Sequence, residues 1–339
     1  MRKVALPSYI TGVPSDPIEF GNDSIIIEDD GVEYLVGKAA SDRDPEGFRQ
    51  YHGNFKRPQY RRLVKALIAS LLGEGEHTGS LALCASRDAV RGLRRAPGSP
   101  KFSDEQWQIL LTSISEIKYR VGSSLAPQKI CKIMPTDEGL LYLENQAVKE
   151  AIPTQMKSFV LWQLGHGDFQ QTTFIDHKAK PDTHARVEGI SGATKIFARL
   201  TGHAAADAEE GWRVGRLSRP GGMNGQEYTA EELKNLKLKA LREYFGTIVP
   251  KLLNLNQNYS KRAVNVILSG GGAKDELAVQ VLKEEVEAEG AYKLHLISNL
   301  PIKDERCDDS SFTTVFGMLQ KAQIALDPGN SFLKAGTTL

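Results

Sequence analysis

The sequence has few cysteines, no long apolar run and almost no net charge, and each shortage argues against a class of protein. The three cysteines of its 339 residues lie far apart, without a CxxC pair or Cys/His ligand spacing, which argues against a disulfide framework or structural zinc site. A formal net charge of +1 argues against direct nucleic-acid binding over a broad basic face. No apolar run approaches the roughly 18 residues that span a bilayer, and no signal-peptide pattern is present. We therefore expect a cytoplasmic protein without a membrane span.

The length of the chain and its mixture of strand and helix patterns indicate a two-domain α/β protein. One ordinary core rarely organises more than about 250 residues, so 339 residues suggest two domains. The turn Asp29-Asp30-Gly31 between β-rich runs at 24–28 and 33–36 predicts a tight hairpin. Apolar spacing predicts helices over residues 60–72, 138–146, 191–201, 229–253 and 311–325.

The longest predicted helix opens with Thr229 and has Glu232 three residues later, which is the pattern of a capping box. Pro250 is expected to end or kink this helix, because proline cannot donate a backbone hydrogen bond. The last residues, 326–339, contain Gly, Asn, Ser and Thr with little periodicity, and we expect them to form a flexible tail.

A glycine-rich turn follows an apolar run near residue 264. Residues 264–273 read Val-Asn-Val-Ile-Leu-Ser-Gly-Gly-Gly-Ala and precede an amphipathic stretch, which predicts a buried strand, a turn and a helix start. Consecutive glycines let the main chain adopt positive φ and let a planar or anionic ligand approach it. Such a turn is also common as a plain tight connection. The nucleotide-binding candidates here are Ser269, Gly270, Gly271, Gly272 and Ala273.

A second turn with two glycines lies between strands predicted at 159–164 and 169–174. A hairpin whose tip contains two glycines can fold over the phosphates of a nucleotide and donate backbone N–H groups to them. The histidine at the tip is either a further phosphate donor or an exposed loop residue. The candidates in this turn are Gln163, Gly165, His166, Gly167 and Asp168.

Taken together, the two turns resemble those of the actin-like ATPases, and specifically those of the ParM-type plasmid-segregation actins. In that family one turn grips the phosphates and the other faces adenosine, roles that the resemblance gives to residues 163–168 and 269–273. Residues 189–193 also resemble the family segment that opens a helix in the second domain, which adds Gly192 to the nucleotide-binding candidates.

The resemblance implies a two-domain actin-like fold, a duplicated ribonuclease H-like α/β architecture with a nucleotide cleft between the domains. Domain I would comprise residues 1–147 and 311–325, and domain II would comprise residues 148–310. The flexible tail at 326–339 would follow. The implied cofactors are ATP or GTP together with Mg²⁺.

The resemblance also points to a residue that orients the attacking water. The family usually places an acidic or amide side chain after a strand such as the one predicted to end at Pro135. Glu138 is the first candidate and Asp137 the second. A carboxylate at this position can hold a water in line with the γ-phosphate. It would also offset the macrodipole at the start of the predicted helix, so both roles stay open.

Two departures from the family pattern bear on catalysis. The family begins with a hairpin that carries an Asp-x-Gly phosphate turn, and no such hairpin is recognised at the start of this chain. Gln163 stands where the second phosphate turn of the family has an aspartate, and the two aspartates help to hold Mg²⁺. Asp168 is an indirect Mg²⁺ ligand or a cap of its own turn. Either the missing hairpin lies upstream of Met1, or the protein is a degenerate homologue that hydrolyses ATP slowly or not at all.

The resemblance implies a protein that polymerises into filaments, with ATP hydrolysis coupled to filament dynamics. Its partners would be further copies of itself and, in plasmid or DNA segregation, a DNA-binding adaptor of the ParR type. Two alternatives stay open. One is a chromosomally encoded bacterial cytoskeletal scaffold of the same family with weak or lost ATPase activity, and the other is a small-molecule kinase of the same superfold.

Overall fold

The chain folds as two units. The computed structural model describes residues 1–44, 57–85, 105–136, 139–220, 226–288, 290–300, 309–329 and 332–339. The first unit comprises Met1–Ala151 together with Phe312–Leu339, and the second comprises Ile152–Ser311. These bounds lie close to the two domains expected from the sequence, except that the first unit extends to the C-terminal residues.

In its described residues the first unit contains two β-sheets. Its strands are β1 (Arg2–Pro7), β2 (Ile10–Gly12), β3 (Ser24–Asp29), β4 (Val32–Gly37), β5 (Gly75–Gly79), β6 (Leu81–Ala85), β7 (Glu116–Arg120), β8 (Lys129–Pro135), β9 (Leu140–Leu143), β15 (Ile324–Pro328) and β16 (Phe332–Thr337). One sheet has the order β1-β16-β15-β6-β9, and the other has the order β2-β4-β3-β7-β8-β5. In the five-stranded sheet β15, β6 and β9 are parallel, whereas β16 is antiparallel to both of its neighbours.

A single helix, α2, provides much of the core of the first unit. The helices of this unit are α1 (Lys38–Arg43), α2 (Pro58–Leu72), α3 (Glu105–Ile114), α4 (Glu144–Ala151) and α9 (Thr313–Met318). Helix α2 begins at Pro58, whose fixed φ suits the first helical turn. It contributes Leu63 to a buried cluster that also contains Ile27 of β3 and Leu326 of β15, so residues from both sheets share one core.

The C-terminal residues differ most from the sequence prediction. The prediction of a flexible tail at 326–339 is wrong for the described residues, because 326–328 complete β15 and Phe332–Thr337 forms β16, which pairs with β1. Residues 311–325 do not form one helix, since the short α9 is followed by the start of β15. Strand β15 lies between β16 and β6, and Ile324 and Leu326 are fully buried. A buried central strand carries no alternating pattern, so the sequence does not distinguish it from a buried helix.

A second correction concerns residues 138–146, which are predicted as one helix. Leu140–Leu143 forms β9, and α4 begins only at Glu144. Strand β9 pairs in parallel with β6 at the edge of the five-stranded sheet. The position of this run in the sheet therefore decides its structure, because short apolar runs fit a helix or a strand equally well.

The predicted hairpin between β3 and β4 is present. Asp30 and Gly31 at its tip have φ angles of 53° and 76°, and positive φ at both central residues is what a type I′ turn requires. Asp29, the last residue of β3, is only 1% exposed. Burying its carboxylate requires cationic partners, because an unpaired buried charge is costly.

Three cationic side chains of α2 surround the Asp29 carboxylate. Arg61 donates to it at 3.0 Å, Arg62 at 2.9 Å and Lys65 at 2.8 Å. Burial alone would raise the pKa of Asp29, but the hydrogen bonds from these three cations outweigh burial and hold the pKa below the ordinary value of 3.8. This cluster attaches the β3–β4 hairpin to the helix.

The second unit has one sheet in its described residues. Its strands are β10 (Phe159–Leu164), β11 (Asp168–Ile175), β12 (Lys178–Glu188), β13 (Asn265–Ser269) and β14 (Lys293–Leu296). Its helices are α5 (Ile190–Thr201), α6 (Ala205–Val214), α7 (Ala230–Leu255) and α8 (Glu276–Glu287). The sheet has the order β12-β11-β10-β13-β14, with β10, β13 and β14 parallel and β11 antiparallel to both of its neighbours. No helix in the described residues of either unit is long and apolar enough to cross a membrane.

Helix α7 begins with the predicted capping box. The Thr229 hydroxyl accepts a hydrogen bond from the Glu232 N–H at 3.2 Å, and the Glu232 carboxylate accepts one from the Thr229 N–H at 2.8 Å. The helix continues through Pro250 to Leu255, so Pro250 does not end it. Tertiary contacts at its C-terminal end stabilise this last part.

A buried polar network supplies one of these contacts. The Gln171 side chain of β11 donates to the Leu252 carbonyl of α7 at 2.9 Å and to the Thr183 carbonyl of β12 at 3.3 Å. Its amide oxygen accepts from Trp162 Nε1 of β10 at 2.7 Å. The amide thus connects the end of α7 to three strands of the sheet, and each of its polar atoms has a partner.

We expect Asp29→Asn to destabilise the protein by roughly 3–5 kcal/mol, because the substitution leaves three partly buried cations without their carboxylate. Asp30→Asn is the matched control: Asp30 is 78% exposed and bonds only to Arg61 among these cations, at 2.8 Å, and its loss should cost no more than about 1 kcal/mol. Urea unfolding of the wild type and both variants measures the difference. Equal effects of the two substitutions would contradict the role of the buried cluster.

The same cluster makes stability depend on pH. Because the pKa of Asp29 in the folded state lies below its ordinary value of 3.8, its stabilising contribution is complete above about pH 5 and is lost as pH falls through the folded-state pKa. The gap between wild type and Asp29→Asn in free energy of unfolding should therefore be constant from about pH 5 to 7 and shrink at lower pH. A gap that widens on acidification would show that the carboxylate is not the stabilising form.

Candidate functional site

The structure brings the two predicted glycine turns together. Strands β10 and β13 are parallel neighbours, and Gln163 near the end of β10 is paired with Ser269 at the end of β13. The turn after each strand therefore leaves the same edge of the sheet. In open α/β sheets this edge, outside the carboxyl ends of parallel strands, is where ligands bind.

Glycine is required where the second turn passes the end of β10. Gly270 has a φ of 93°, and a Cβ atom there would lie 2.5 Å from the Leu164 carbonyl oxygen. A Cβ atom on Gly272 would lie 2.6 Å from Leu164 Cγ. Both glycines thus allow close approach of the two turns, while Gly271, with nothing within 4 Å of an added Cβ, faces open space.

The first turn is held against the start of α5 by its carbonyl groups. The Gly165 carbonyl accepts from the Ile190 N–H at 3.1 Å, and the His166 carbonyl accepts from the Ser191 N–H at 2.9 Å. These bonds satisfy N–H groups that every helix start leaves without an intrahelical partner. Within the part of the chain that the structure describes, nothing accepts from the N–H groups of His166 and Gly167. These two donors are therefore free to contact an anion.

The side chains of the first turn have partners within the second unit. His166 Nε2 lies 3.0 Å from a carboxylate oxygen of Glu209. The Asp168 carboxylate accepts from Arg186 at 2.9 Å and from the Gln170 amide at 2.9 Å. Pairing with a guanidinium offsets the negative charge that would attract a cation to Asp168. Its role as an indirect Mg²⁺ ligand stays a prediction.

Gln163 is the most enclosed polar side chain of this turn. It is 5% exposed and lies opposite Gln170 across the hairpin. Trp162 and Leu164 pack into the core that the helices cover. Because side chains alternate along a strand, Gln163 lies on the opposite face of the sheet. Its amide makes no hydrogen bond with the residues that the structure describes. An enclosed amide without a protein partner is suited to bind a ligand or an ordered water.

The second turn is stabilised by the capped start of α8 and by an ion pair. Asp275 accepts from the N–H groups of Leu277 at 3.0 Å and Ala278 at 3.1 Å, which caps α8. Lys274 Nζ lies 2.6 Å from the Asp309 carboxylate. Burial alone would raise the pKa of Asp309, but hydrogen bonds from Lys274 and Ser311 hold it below its ordinary value. These contacts hold the main chain of the turn in place.

Gly192 has a packing role in the structure. An added Cβ atom there would lie 2.4 Å from the ring of Tyr244, so the glycine lets α5 and α7 approach closely. Burial and the neighbouring Glu188 raise the pKa of Tyr244 to about 12, so its hydroxyl stays protonated and donates to the Glu188 carbonyl. A direct contact of Gly192 with nucleotide stays a prediction. The water-orienting candidates Asp137 and Glu138 lie outside the described residues.

One polar pair in the first unit is not among the residues predicted from the sequence. Asp327 of β15 and Lys334 of β16 face each other across a hairpin, with Lys334 Nζ 3.8 Å from the Asp327 carboxylate. Their side chains are 10% and 20% exposed. The signal is present in the sequence as Asp327-Pro328-Gly329, but it occurs at the end of the chain, whereas the resemblance places an Asp-x-Gly turn at the start.

Comparison with known proteins identifies the fold. No protein-family model matches the sequence, and a search of curated proteins finds no match. The actin-like protein Alp7A aligns with a TM-score of 0.61 and 13% identity over 92% of this chain and 88% of its own. Bacillus thuringiensis ParM with ATP aligns with a TM-score of 0.58 and 13% identity over 93% of this chain and 91% of its own. Alp12, from a filament structure, aligns with a TM-score of 0.57 and 17% identity over 93% of this chain and 88% of its own.

The chain therefore has the actin-like fold that the resemblance implies, with ParM and Alp proteins among its structural neighbours. The similarity extends over about nine tenths of the chain, so it covers both units. Identities of 13–17% establish the fold alone.

We expect Gly270→Ala to destabilise the protein by about 1–3 kcal/mol, because alanine is strained at positive φ and its Cβ would overlap the Leu164 carbonyl. Gly271→Ala, one residue away and facing open space, should change stability by less than about 0.5 kcal/mol. Thermal unfolding of both variants tests the contact between the two turns. A Gly270→Ala protein that unfolds at the wild-type temperature would show that this approach is not required.

Proposed function

We propose that this protein binds ATP or GTP with Mg²⁺ and polymerises into filaments, as an actin-like ATPase of the ParM type. The observation that carries the nucleotide part is the adjacency of the two glycine turns at the carboxyl ends of β10 and β13. Free N–H donors at His166 and Gly167 suit phosphate oxygens. The glycines of the second turn leave main chain bare for a planar ring.

The residues of the second unit fit a nucleotide better than they fit a resident metal. Their contributions are backbone N–H groups, the Gln163 amide and close-packed glycines, and the nearest carboxylate, Asp168, is paired with Arg186. Among the described residues, no three His, Cys, Asp or Glu side chains cluster closely enough to hold a metal ion. Mg²⁺ commonly binds through substrate phosphates with one or two protein groups, and it would supply neutralisation of developing phosphate charge.

Hydrolysis in this proposal depends on positioning a water. Glu138 is the first candidate to orient it and Asp137 the second, as the family resemblance indicates. The protein has little further chemistry to perform, because phosphoryl transfer is catalysed mostly by positioning and electrostatic stabilisation. Neutral Gln163 in place of an aspartate favours slow hydrolysis.

Self-assembly is supported by the fold neighbours. One of the aligned structures is a filament of Alp12, and a repeated head-to-tail contact gives an open filament when its rotation does not close. We further propose that the filament contributes to plasmid or DNA segregation. A net charge of +1 fits a filament that reaches DNA through a separate ParR-type adaptor.

A second candidate function follows from Gln163. If neutral Gln163 and the paired Asp168 bind Mg²⁺ too weakly to support hydrolysis, the protein would be a cytoskeletal scaffold that binds nucleotide without turnover. The two candidates share the fold and the nucleotide site. They differ in phosphate release and in whether assembly requires the triphosphate.

The first test is sedimentation of the purified protein with Mg-ATP, Mg-GTP, Mg-ADP or no nucleotide, with phosphate release recorded in the same tubes and the pellets imaged by negative stain. We expect filaments with a triphosphate and slow phosphate release. Filaments in every tube without phosphate release would support the scaffold instead. The absence of filaments in all tubes would contradict self-assembly.

Substitution of the water-orienting candidate tests the catalytic part. Glu138→Ala should lower the rate of phosphate release by at least about tenfold, since alanine has no polar group to hold the attacking water in line with the γ-phosphate. The affinity for a fluorescent ATP analogue should not change. Asp137→Ala serves as the comparison, and the larger loss identifies the residue that orients the water. Unchanged phosphate release in both variants would remove both from the mechanism.

A further inference from the structure

The two units contain the same five-stranded arrangement. In each, three parallel strands are followed on one side by an antiparallel strand and then by an outer strand antiparallel to that one. Position by position, β15 corresponds to β10, β16 to β11 and β1 to β12, while β6 and β9 correspond to β13 and β14. The second unit uses these positions in chain order. The first unit reaches β15 and β16 last, after β1, β6 and β9.

We propose that the first unit is a circularly permuted copy of the arrangement in the second, and that its C-terminal hairpin β15–β16 is a binding element for the phosphates and Mg²⁺ of a nucleoside triphosphate. The ligand part of this inference rests on the nucleotide-binding function proposed above. The permutation rests on strand order alone.

The two hairpins correspond residue by residue. Asp327 is the next-to-last residue of β15 and precedes Gly329 by two positions, just as Gln163 in β10 precedes Gly165. Each is nearly buried: as whole residues, Asp327 is 7% exposed and Gln163 is 5% exposed. Each pairs across its hairpin with the residue seven positions later, Asp327 with Lys334 and Gln163 with Gln170.

The turn glycines are also held in the same way. The Gly329 carbonyl accepts from the hydroxyl of Ser8 at 2.6 Å, and Ser8 directly follows the outer strand β1. The Gly165 carbonyl accepts from the N–H of Ile190, shortly after the outer strand β12. In both units, the chain that leaves the outer strand fixes the carbonyl of the turn.

The charges of the first hairpin define its ligand. At the two positions where the second unit has neutral Gln163 and Gln170, the first has a carboxylate and an ammonium 3.8 Å apart. This separation is longer than a direct hydrogen bond between the two groups, and the Asp327 carboxylate also takes part in a hydrogen bond with the Cys84 side chain. A carboxylate holds Mg²⁺ or its waters, and an ammonium binds phosphate oxygens. A magnesium nucleotide offers both charges, whereas an uncharged ligand would offer neither.

This assignment changes the expectation that the phosphate-binding hairpin is missing. Strands β15 and β16 already fill the two sheet positions that such a hairpin needs. The Asp-x-Gly pattern sits at their turn, 327–329. The first unit therefore has its phosphate hairpin, irrespective of what precedes Met1.

Nucleotide titration of a lysine pair tests the site. Lys334→Gln should weaken binding of a fluorescent ATP analogue by on the order of tenfold, because it removes a charge-assisted contact. Lys321→Gln, at an exposed position shortly before β15, should bind as the wild type does. Lys334→Arg should restore part of the affinity if charge is what matters. Equal affinity of wild type and Lys334→Gln overturns the site, whereas a wild type that binds no nucleotide overturns the proposed function itself.

Reordering the chain tests the permutation separately. A chain with residues 321–339 first, then a Gly-Ser linker, then residues 1–320 places the five strands in the order of the second unit. Arg2 and Thr337 are paired in the sheet, so Thr338, Leu339, the linker and Met1 form a hairpin loop of ordinary length. We expect the wild-type circular dichroism spectrum and a melting temperature within about 8 °C of the wild type. A reordered chain that does not fold overturns the equivalence of the two sheets.

Discussion

The parallel pairing of β10 with β13 is the interaction on which the candidate site depends. The ladder sets Gln163 beside Ser269, and from this register both glycine turns emerge at one edge of the sheet. Leu164 then contacts Gly270 and Gly272, so the second turn has no room for side chains at these positions. The same glycines that leave the main chain accessible to a nucleotide thus also allow the second turn to pack against the end of β10.

Signals that act over a few residues were sufficient to predict local structure. The Asp-Gly turn at Asp30 and Gly31 and the capping box of Thr229 and Glu232 depend on contacts between near neighbours in sequence, and both are present. The strands β9, β15 and β16 were not predicted: β9 pairs with β6, and the hairpin β15–β16 is enclosed by β1 and β6, which all lie far away in the chain. Composition suggested a flexible tail at 326–339, but pairing with β1 outweighs composition.

The candidate site was predictable to a similar degree and for a similar reason. Closely spaced glycines marked both turns in the sequence, because glycine suits tight turns and close approach of the main chain. The sequence could not show that Gly192 accommodates the ring of Tyr244, because the two residues are far apart in the chain. Nor could it show that Asp168 is paired with Arg186. The sequence shows which residue types are present in a turn, whereas only the folded structure shows which residues they contact.

The late position of β15 has a consequence for synthesis on the ribosome. Domains generally fold as their residues emerge, N-terminal parts first. The five-stranded sheet of the first unit lacks its central strand until Ile324–Pro328 has been made, whereas every strand of the second unit is complete by Leu296. The second unit can thus complete its sheet before β15 and β16 are available to join β1 and β6 in the first unit. A nascent chain that stops prematurely would therefore expose apolar strand edges, which is the kind of species that chaperones and proteases remove.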